Sequence, residues 1–244
     1  TLSKPTAALI PTRMTKTYSA NENKNWEPER SFFHLLYERE CRNHQVNPEN
    51  IELMNSLFYY SLGIKKRDVE GADTLPEEVY PDLDVDKGLW IWGSPGCGKS
   101  TLLKTLGAFE VKLVELDRVY YNKSPRYPHA RGFRVLNCPQ ITARFSGYGI
   151  SAIESLTDNE GEPFNVGLDE LGREAIPVRY FGTELNVMEY ILQLRYELRK
   201  KCKTHITTNL TFEGVKRLYG VYILERVQEM FNHIHLEDIN HRNK

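Results

Sequence analysis

Cysteine is scarce and scattered: Cys41, Cys97, Cys138 and Cys202 are the only four in 244 residues, and no two form a C-x-x-C pair. That spacing offers neither a disulfide framework nor a structural zinc site, and it leads one to expect a reduced, cytoplasmic setting. Long apolar runs are missing as well. None approaches the roughly 18 to 20 residues needed to span a bilayer, and the start Thr1-Leu2-Ser3-Lys4-Pro5 has no signal-peptide architecture, so no membrane partner is expected. Charge of one sign is also absent, since 32 Lys and Arg stand against 33 Asp and Glu. Any affinity for nucleic acid must therefore come from a local patch rather than from a global field. There is no internal repeat and no low-complexity tract, while a hydrophobic fraction of 40% is ample for an ordinary buried core.

What is present is concentrated in one string. Gly93-Ser94-Pro95-Gly96-Cys97-Gly98-Lys99-Ser100-Thr101 follows the apolar run Leu89-Trp90-Ile91-Trp92 and fits G-x-x-x-x-G-K-[ST]. Glycines let successive backbone N–H groups turn inward to phosphate oxygens, Lys99 supplies a point charge for the outer phosphates, and Ser100 offers a hydroxyl to Mg²⁺. The loop has to open a helix, whose N-terminal dipole favours an anion. Thr101-Leu102-Leu103-Lys104-Thr105-Leu106 has the apolar spacing of such a helix. ATP or ADP with Mg²⁺ is the expected ligand.

Along the chain, residues 1 to about 30 read as a polar, irregular arm punctuated by Pro5, Pro11 and Pro28. Two helices are predicted next, one from a Ser31 cap through Tyr37 and one from about Pro48 to Gly63, before a linker from Lys65 to about Asp86. The organisation expected is thus 1–85, a helical partner-binding region with its arm and linker, and 86–244, a nucleotide-binding core. Within that core, Val111–Leu116 reads as strand or helix continuation. Phe133–Cys138 reads as a strand closed by Pro139, and about Gln140 to Phe145 as a helix. Phe164–Glu170 is predicted as a strand, Asn186–Lys200 as a helix, His205–Asn209 as a strand and about Thr211 to Leu218 as a helix. Alternating strands and helices predict an α/β fold with a parallel sheet covered on both faces.

A phosphate loop needs acid opposite its hydroxyl, to hold the metal and to orient water. Asp169 and Glu170, at the end of a predicted strand, fit metal binding and general-base catalysis respectively, although Asn165 and Gly167 weaken that strand and an acidic turn is the plainer alternative. Asn209 reads equally as a γ-phosphate sensor and as a helix cap. Arg226 and Arg242 come later, where lone arginines are ordinarily solvated; their order after the other motifs suggests phosphate-reading roles, one of them supplied across a subunit interface.

Taken together, Gly88–Thr101, Leu168-Asp169-Glu170-Leu171-Gly172, Ile206-Thr207-Thr208-Asn209-Leu210 and Tyr219–Val227 followed by His241-Arg242 resemble the DnaC-type helicase loaders and their IstB-type transposition relatives, within the AAA+ ATPases. The resemblance runs from residue 88 to 242. It implies a three-layer αβα P-loop NTPase core without a C-terminal lid domain, with Lys99 and Ser100 on nucleotide and Asp169 and Glu170 serving Mg²⁺ and hydrolysis. Asn209 would be the first sensor, Arg226 the trans-acting finger and Arg242 the second sensor. The activity implied is ATP hydrolysis in DNA replication, by a nucleotide-dependent homo-oligomer that contacts single-stranded DNA and a replicative helicase. A transposition helper that binds duplex DNA and a transposase would share this core. A small-molecule P-loop kinase, using Arg226 within one chain, and a nucleotide-gated binding module with negligible hydrolysis are the other readings.

Residues 118–134 interleave Arg118, Lys123, Arg126, Arg131 and Arg134 with Tyr120, Tyr121, Tyr127 and Phe133, and Arg144, Phe145 and Tyr148 continue the pattern. Such a composition suits phosphate contacts and base stacking on a single strand. It equally suits a surface excursion whose aromatics pack on the sheet.

Overall fold

A computed structural model describes residues 26–41, 48–64, 83–121, 123–154, 156 and 162–236. The arm before residue 26, most of the 65–86 linker and Arg242 lie outside these residues. The described chain forms α1 (Glu27–Glu40), α2 (Pro48–Leu62), β1 (Gly88–Gly93), α3 (Lys99–Tyr120), β2 (Arg134–Asn137), α4 (Cys138–Tyr148), α5 (Ser151–Glu154), β3 (Val166–Leu171), β4 (Val178–Tyr180), β5 (Thr183–Leu185), α6 (Val187–Glu197), β6 (Thr204–Thr208), α7 (Phe212–Met230) and β7 (Phe231–Leu236).

Five strands form one sheet in the order β2-β3-β6-β1-β7, all parallel, and β4 and β5 form a separate antiparallel hairpin. Strand alternation sorts β1 between two apolar layers: Leu89 and Ile91 join α1, α2 and α3 on one face, while Trp90 joins α4, α6 and α7 on the other. The result is the three-layer αβα P-loop core with its parallel sheet. The bulk of Trp90 and Trp92 is absorbed on the α7 side, where Trp90 packs on Phe231 and Trp92 stacks on His235 with centroids 4.0 Å apart.

The weak spots of the sequence pattern have packing reasons. Gly167 interrupts the apolar run of β3 because the Phe133 ring occupies the space a side chain would need: a Cβ at Gly167 would lie 3.1 Å from that ring, and one at Gly107 of α3 equally close. Phe133 in turn stacks on buried His205 at 4.4 Å. Asn165 accepts from the Lys203 N–H at 2.8 Å and so ties the entrance of β3 to that of β6.

Several boundaries differ from the sequence expectation. The first helix begins at Glu27, with Pro28 in its first turn and without a side-chain cap, so Ser31 is not its cap; the Ser31 hydroxyl donates to Glu27 Oε1 at 3.4 Å. Val111–Leu116 is helix, the middle of α3. The helix expected to end at Leu218 continues to Met230 through a kink at Gly220, where φ is 84°. The helices before the core do not stand apart from it. Phe33 and Phe58 pack on Phe109 of α3, and one apolar cluster runs from α1 and α2 into β1, so no break in packing accompanies the 85/86 boundary.

The basic-aromatic stretch divides. Tyr127 and Arg126 are buried against α1: the Tyr127 hydroxyl donates to Glu29 Oε1 at 2.7 Å and Arg126 Nε to the same oxygen at 3.1 Å, while Phe133 and Phe145 are in the core. Arg118, Tyr120, Lys123, Arg131, Arg134, Arg144 and Tyr148 are exposed.

A buried acid beneath this face sets a pH dependence. Glu110 of α3 is 2% exposed, and burial pushes its carboxyl up to about 7 against the opposing pull of Lys203 and the N–H groups of Arg131 and Gly132. Because the folded chain then holds this proton more tightly than the unfolded one, the stability it contributes is full below about pH 4.5 and is lost as pH rises through about 7. Glu110→Gln removes that dependence. Relative to wild type, the variant is expected to gain up to about 3 kcal/mol between pH 4.5 and 8 in denaturant unfolding, whereas a difference constant with pH would contradict a raised Glu110.

Candidate nucleotide site

The crossover from β1 runs through α3 on one face to the sheet edge at β2, whereas the crossover from β6 runs through α7 on the other face to β7. Between the carboxyl ends of β1 and β6 the chain therefore departs in opposite directions, which opens a crevice of the kind that binds ligands in parallel α/β sheets. A cleft of about 440 Å³ lies there, lined by the phosphate loop, by Glu170 and Arg173 after β3, by Thr207, Thr208 and Asn209 at the end of β6, and by Tyr37, Glu40 and Cys41 from the last turn of α1.

The loop is held in the curled form that its glycines permit. Gly93, Gly96 and Gly98 have φ of 148°, 91° and 94°, and a Cβ at Gly93 would lie 2.3 Å from the Leu236 carbonyl oxygen. Gly98 leads directly into α3, so the first N–H groups of that helix face the cleft. Lys99 is folded into the loop: its Nζ donates to the carbonyls of Gly93 at 2.8 Å and Ser94 at 2.6 Å, and approaches Cys97 Sγ at 3.4 Å. Ser94, Pro95 and Thr101 complete the string.

Opposite the loop, β3 slips register against β6 between Leu168 and Leu171, and Glu170 takes a left-handed φ of 63°. This bulge puts two consecutive acids to separate uses. The Ser100 hydroxyl donates to Asp169 Oδ1 at 2.7 Å, and the Thr207 hydroxyl donates to that same oxygen while accepting from the Glu170 N–H at 3.0 Å. The Glu170 carboxylate faces the cleft between two donors, Asn137 Nδ2 at 2.9 Å and Arg173 Nη1 at 2.6 Å.

A hydroxyl and a carboxylate meeting across the cleft are hard oxygen donors of the type Mg²⁺ takes. That ion commonly uses one or two protein oxygens and completes its shell with phosphate and water, so Ser100 and Asp169 fit it. No group of three or more His, Cys, Asp or Glu that could hold a metal occurs among the described residues.

The structure brings Lys99, Ser100, Asp169 and Glu170 together and sets Asn209 on the rim, exposed at the end of β6. The helix cap that competed for Asn209 belongs to Thr211, whose Oγ1 accepts from the Gly214 N–H at 3.2 Å. Arg226 does not line this cleft. It lies on α7 beyond the Gly220 kink, over the Tyr222 ring at 3.7 Å and the Tyr196 ring at 4.4 Å, with Glu197 at 3.8 Å.

Four cleft residues escaped the sequence reading. Asn137 and Arg173 hold Glu170, Thr207 joins the two acids, and Tyr37 brings α1 over the loop, its hydroxyl 3.9 Å from where a Gly98 Cβ would stand. Burial pushes the Tyr37 hydroxyl well up, and the neighbouring Cys41 thiol as well. Asn137, a strand-end amide level with Asp169 in the sheet, left a trace at the close of the predicted Phe133–Cys138 strand, and Thr207 left one within the Ile206–Leu210 string, but neither was read as a site residue.

No known family model and no curated protein matches this chain. Solved structures similar to it include the DnaC helicase loader, at 16% identity and a TM-score of 0.47 over 82% of this chain and 98% of that one. AMPPCP-bound DnaA from Aquifex aeolicus is similar at 15% identity and a TM-score of 0.44, over 82% of this chain and 50% of that one. C. elegans PCH-2 is similar at 13% and 0.35, over 88% of this chain and 43% of that one.

Proposed function

We propose that this chain binds ATP with Mg²⁺ in the cleft between β1 and β6, hydrolyses it in nucleotide-dependent assemblies of its own copies, and couples that cycle to loading a replicative helicase on single-stranded DNA. The observation that carries the ATPase reading is the convergence of Ser100, Asp169, Thr207 and Glu170 opposite a glycine loop that opens a helix. Bound Mg²⁺ would supply charge neutralisation of the phosphates; Ser100 and Asp169 would hold it. Lys99 exchanges loop carbonyls for phosphate oxygens. Glu170 accepts a proton from water, and Asn209 on the rim reports the γ-phosphate.

Arg226 faces away from its own cleft, which supports a role on a neighbouring copy, and Arg242 is assigned to the second sensor from motif order. For single-stranded DNA the supporting feature is a set of exposed aromatics beside cations. Tyr148 is 68% and Phe181 93% exposed, with Arg144 one turn before Tyr148 on α4 and Tyr180, next to Phe181, packed on Gly149. The helicase assignment, with residues 1–85 as its docking region, rests on the order and wording of the motifs. The last turn of α1 lines the nucleotide cleft, so a partner that pulls on this helix is felt at the phosphate loop.

The test is ATP hydrolysis against chain concentration, with and without single-stranded DNA. Specific activity should rise steeply with concentration and change with DNA. Activity independent of both, with a small acceptor phosphorylated instead, would favour the kinase reading.

A further inference from the structure

At the opposite end of the sheet, where β1, β3 and β6 begin, lies a second cavity of about 500 Å³. Six of its lining residues are cationic, Lys87, Arg131, Arg199, Lys200, Lys201 and Lys203, against three acids, Asp84, Asp86 and Glu229. Local pairing absorbs only part of the excess. Arg199 is bridged to Glu229 at 3.0 Å, Lys203 lies over the Tyr60 ring within the field of Glu110, and Arg131 donates to the Lys201 carbonyl at 2.9 Å. Lys87, Lys200 and Lys201 have no carboxylate within ion-pairing distance among the described residues.

Two buried donors sharpen the imbalance. Asn165, which lines the cavity and is 3% exposed, has its Oδ1 engaged by the Lys203 N–H while its Nδ2 has no acceptor. Arg195 is fully buried just behind the same wall. It donates to the Thr204 hydroxyl at 2.8 Å and to the carbonyls of Lys203 at 2.7 Å and Phe164 at 3.0 Å, its Nη1 has no acceptor, and no carboxylate pairs with it among the described residues. A buried amide without an acceptor is costly and is relieved by an anionic oxygen entering the cavity that Asn165 lines, while the buried Arg195, beside the Cys202 thiol and without a carboxylate among the described residues, adds positive potential behind that wall.

We propose that this cavity is a second anion site, separate from the nucleotide cleft, and that it takes phosphate groups carrying more than one charge. A single carboxylate would match only one of the three excess positive charges. Successive phosphates, whether in a free polyphosphate or along a nucleic-acid backbone, match both the spread of lysines and the volume. The site is independent of which nucleotide the cleft at the other end takes.

The probes are inorganic tripolyphosphate and a fluorescent single-stranded oligonucleotide, each titrated at two salt concentrations into the full wild-type chain and into Lys99→Ala, which disables the loop at the other end of the sheet. Binding should survive Lys99→Ala and weaken with salt. The exposed double substitution Lys200→Glu with Lys201→Glu should weaken binding by about tenfold or more, while Lys216→Glu on the outside of α7 leaves it unchanged. Asn165→Asp keeps the acceptor for the Lys203 N–H, replaces the free donor by an anion and should also weaken binding. Should that variant fold poorly, the lysine pair decides alone. Tripolyphosphate bound without the oligonucleotide identifies a free polyphosphate as the ligand, and mutual competition identifies a nucleic-acid backbone. Loss of binding of both probes in Lys99→Ala, or unaltered binding by the lysine pair, would overturn the proposal.

Discussion

Glu170→Gln is expected to lower ATP turnover by about 10² to 10⁴-fold and to leave ATP affinity within about twofold of wild type. The reasoning starts from the bulge in β3. Glu170 adopts a left-handed backbone at φ 63°, a conformation that glutamine tolerates no worse than glutamate, so the substitution does not disturb the strain already present. Glutamine has the same length, and its carbonyl oxygen can still accept from Asn137 or Arg173, the two donors that hold the carboxylate. What disappears is the capacity to take a proton from water. Asp169, which meets Ser100 and Thr207 and would hold the metal, is untouched. Equilibrium binding of a fluorescent ATP analogue and steady-state phosphate release separate the two quantities. Wild-type turnover in the variant would remove Glu170 from the chemistry.

Much of this cleft's geometry was legible in the sequence because a glycine loop that leaves a strand and opens a helix is a local pattern. The glycines, Lys99 and Ser100 are contiguous, and the need for strand before and helix after is written in nine residues and their flanks. Asp169 and Glu170 were legible for a second reason: metal and water demand acids opposite the hydroxyl, and few strand ends supply two. Asn137, Thr207 and Tyr37 are different in kind. Each is an ordinary residue for its element, and its role arises only from register. Asn137 aligns with Asp169 across the β2–β3 ladder, Thr207 sits across the bulge, and Tyr37 reaches the loop because α1 packs on α3. The second cavity was hidden for the same reason, since its cations come from the approach to β1, the loop before β2 and the turn between α6 and β6. The basic-aromatic stretch shows the converse. Composition could not divide it, but Glu29, 97 positions away, partners Arg126 and Tyr127 and takes them into the interior. Helix ends were the least legible, because Gly220 reads as a stop and the chain instead kinks and resumes.

Arg226→Ala is expected to lower turnover by about 10³ to 10⁵-fold at chain concentrations where wild type assembles, again without loss of ATP binding. The end of α7 leads straight into Phe231, which pairs with Gly88 at the start of β1, whereas the phosphate loop leaves the other end of that strand after Gly93, about 17 Å further along. Arg226, little more than a helical turn before Phe231, therefore belongs to the far side of the molecule from its own glycine loop. It is not idle there. The guanidinium lies over Tyr222 and Tyr196, Tyr196 also carries Arg199 at 3.8 Å on its ring, and the Tyr196 hydroxyl donates to Glu229 at 2.5 Å. Stacking on two phenol rings keeps the charge at the surface, partly desolvated and oriented, which lowers the ordering cost of presenting it to a second copy. Mixing separates this role from a structural one. A Glu170→Gln chain keeps ATP binding but has a disabled cleft and an intact Arg226, and an Arg226→Ala chain has an intact cleft but no arginine to offer. Each alone should be nearly inactive, and the mixture should recover at least about tenfold over either, because one chain's arginine completes the other chain's site. If the mixture stays as inactive as its parts while both variants remain folded and the second still binds ATP, the site is not shared, and Arg226 serves the packing of α7 on α6 instead.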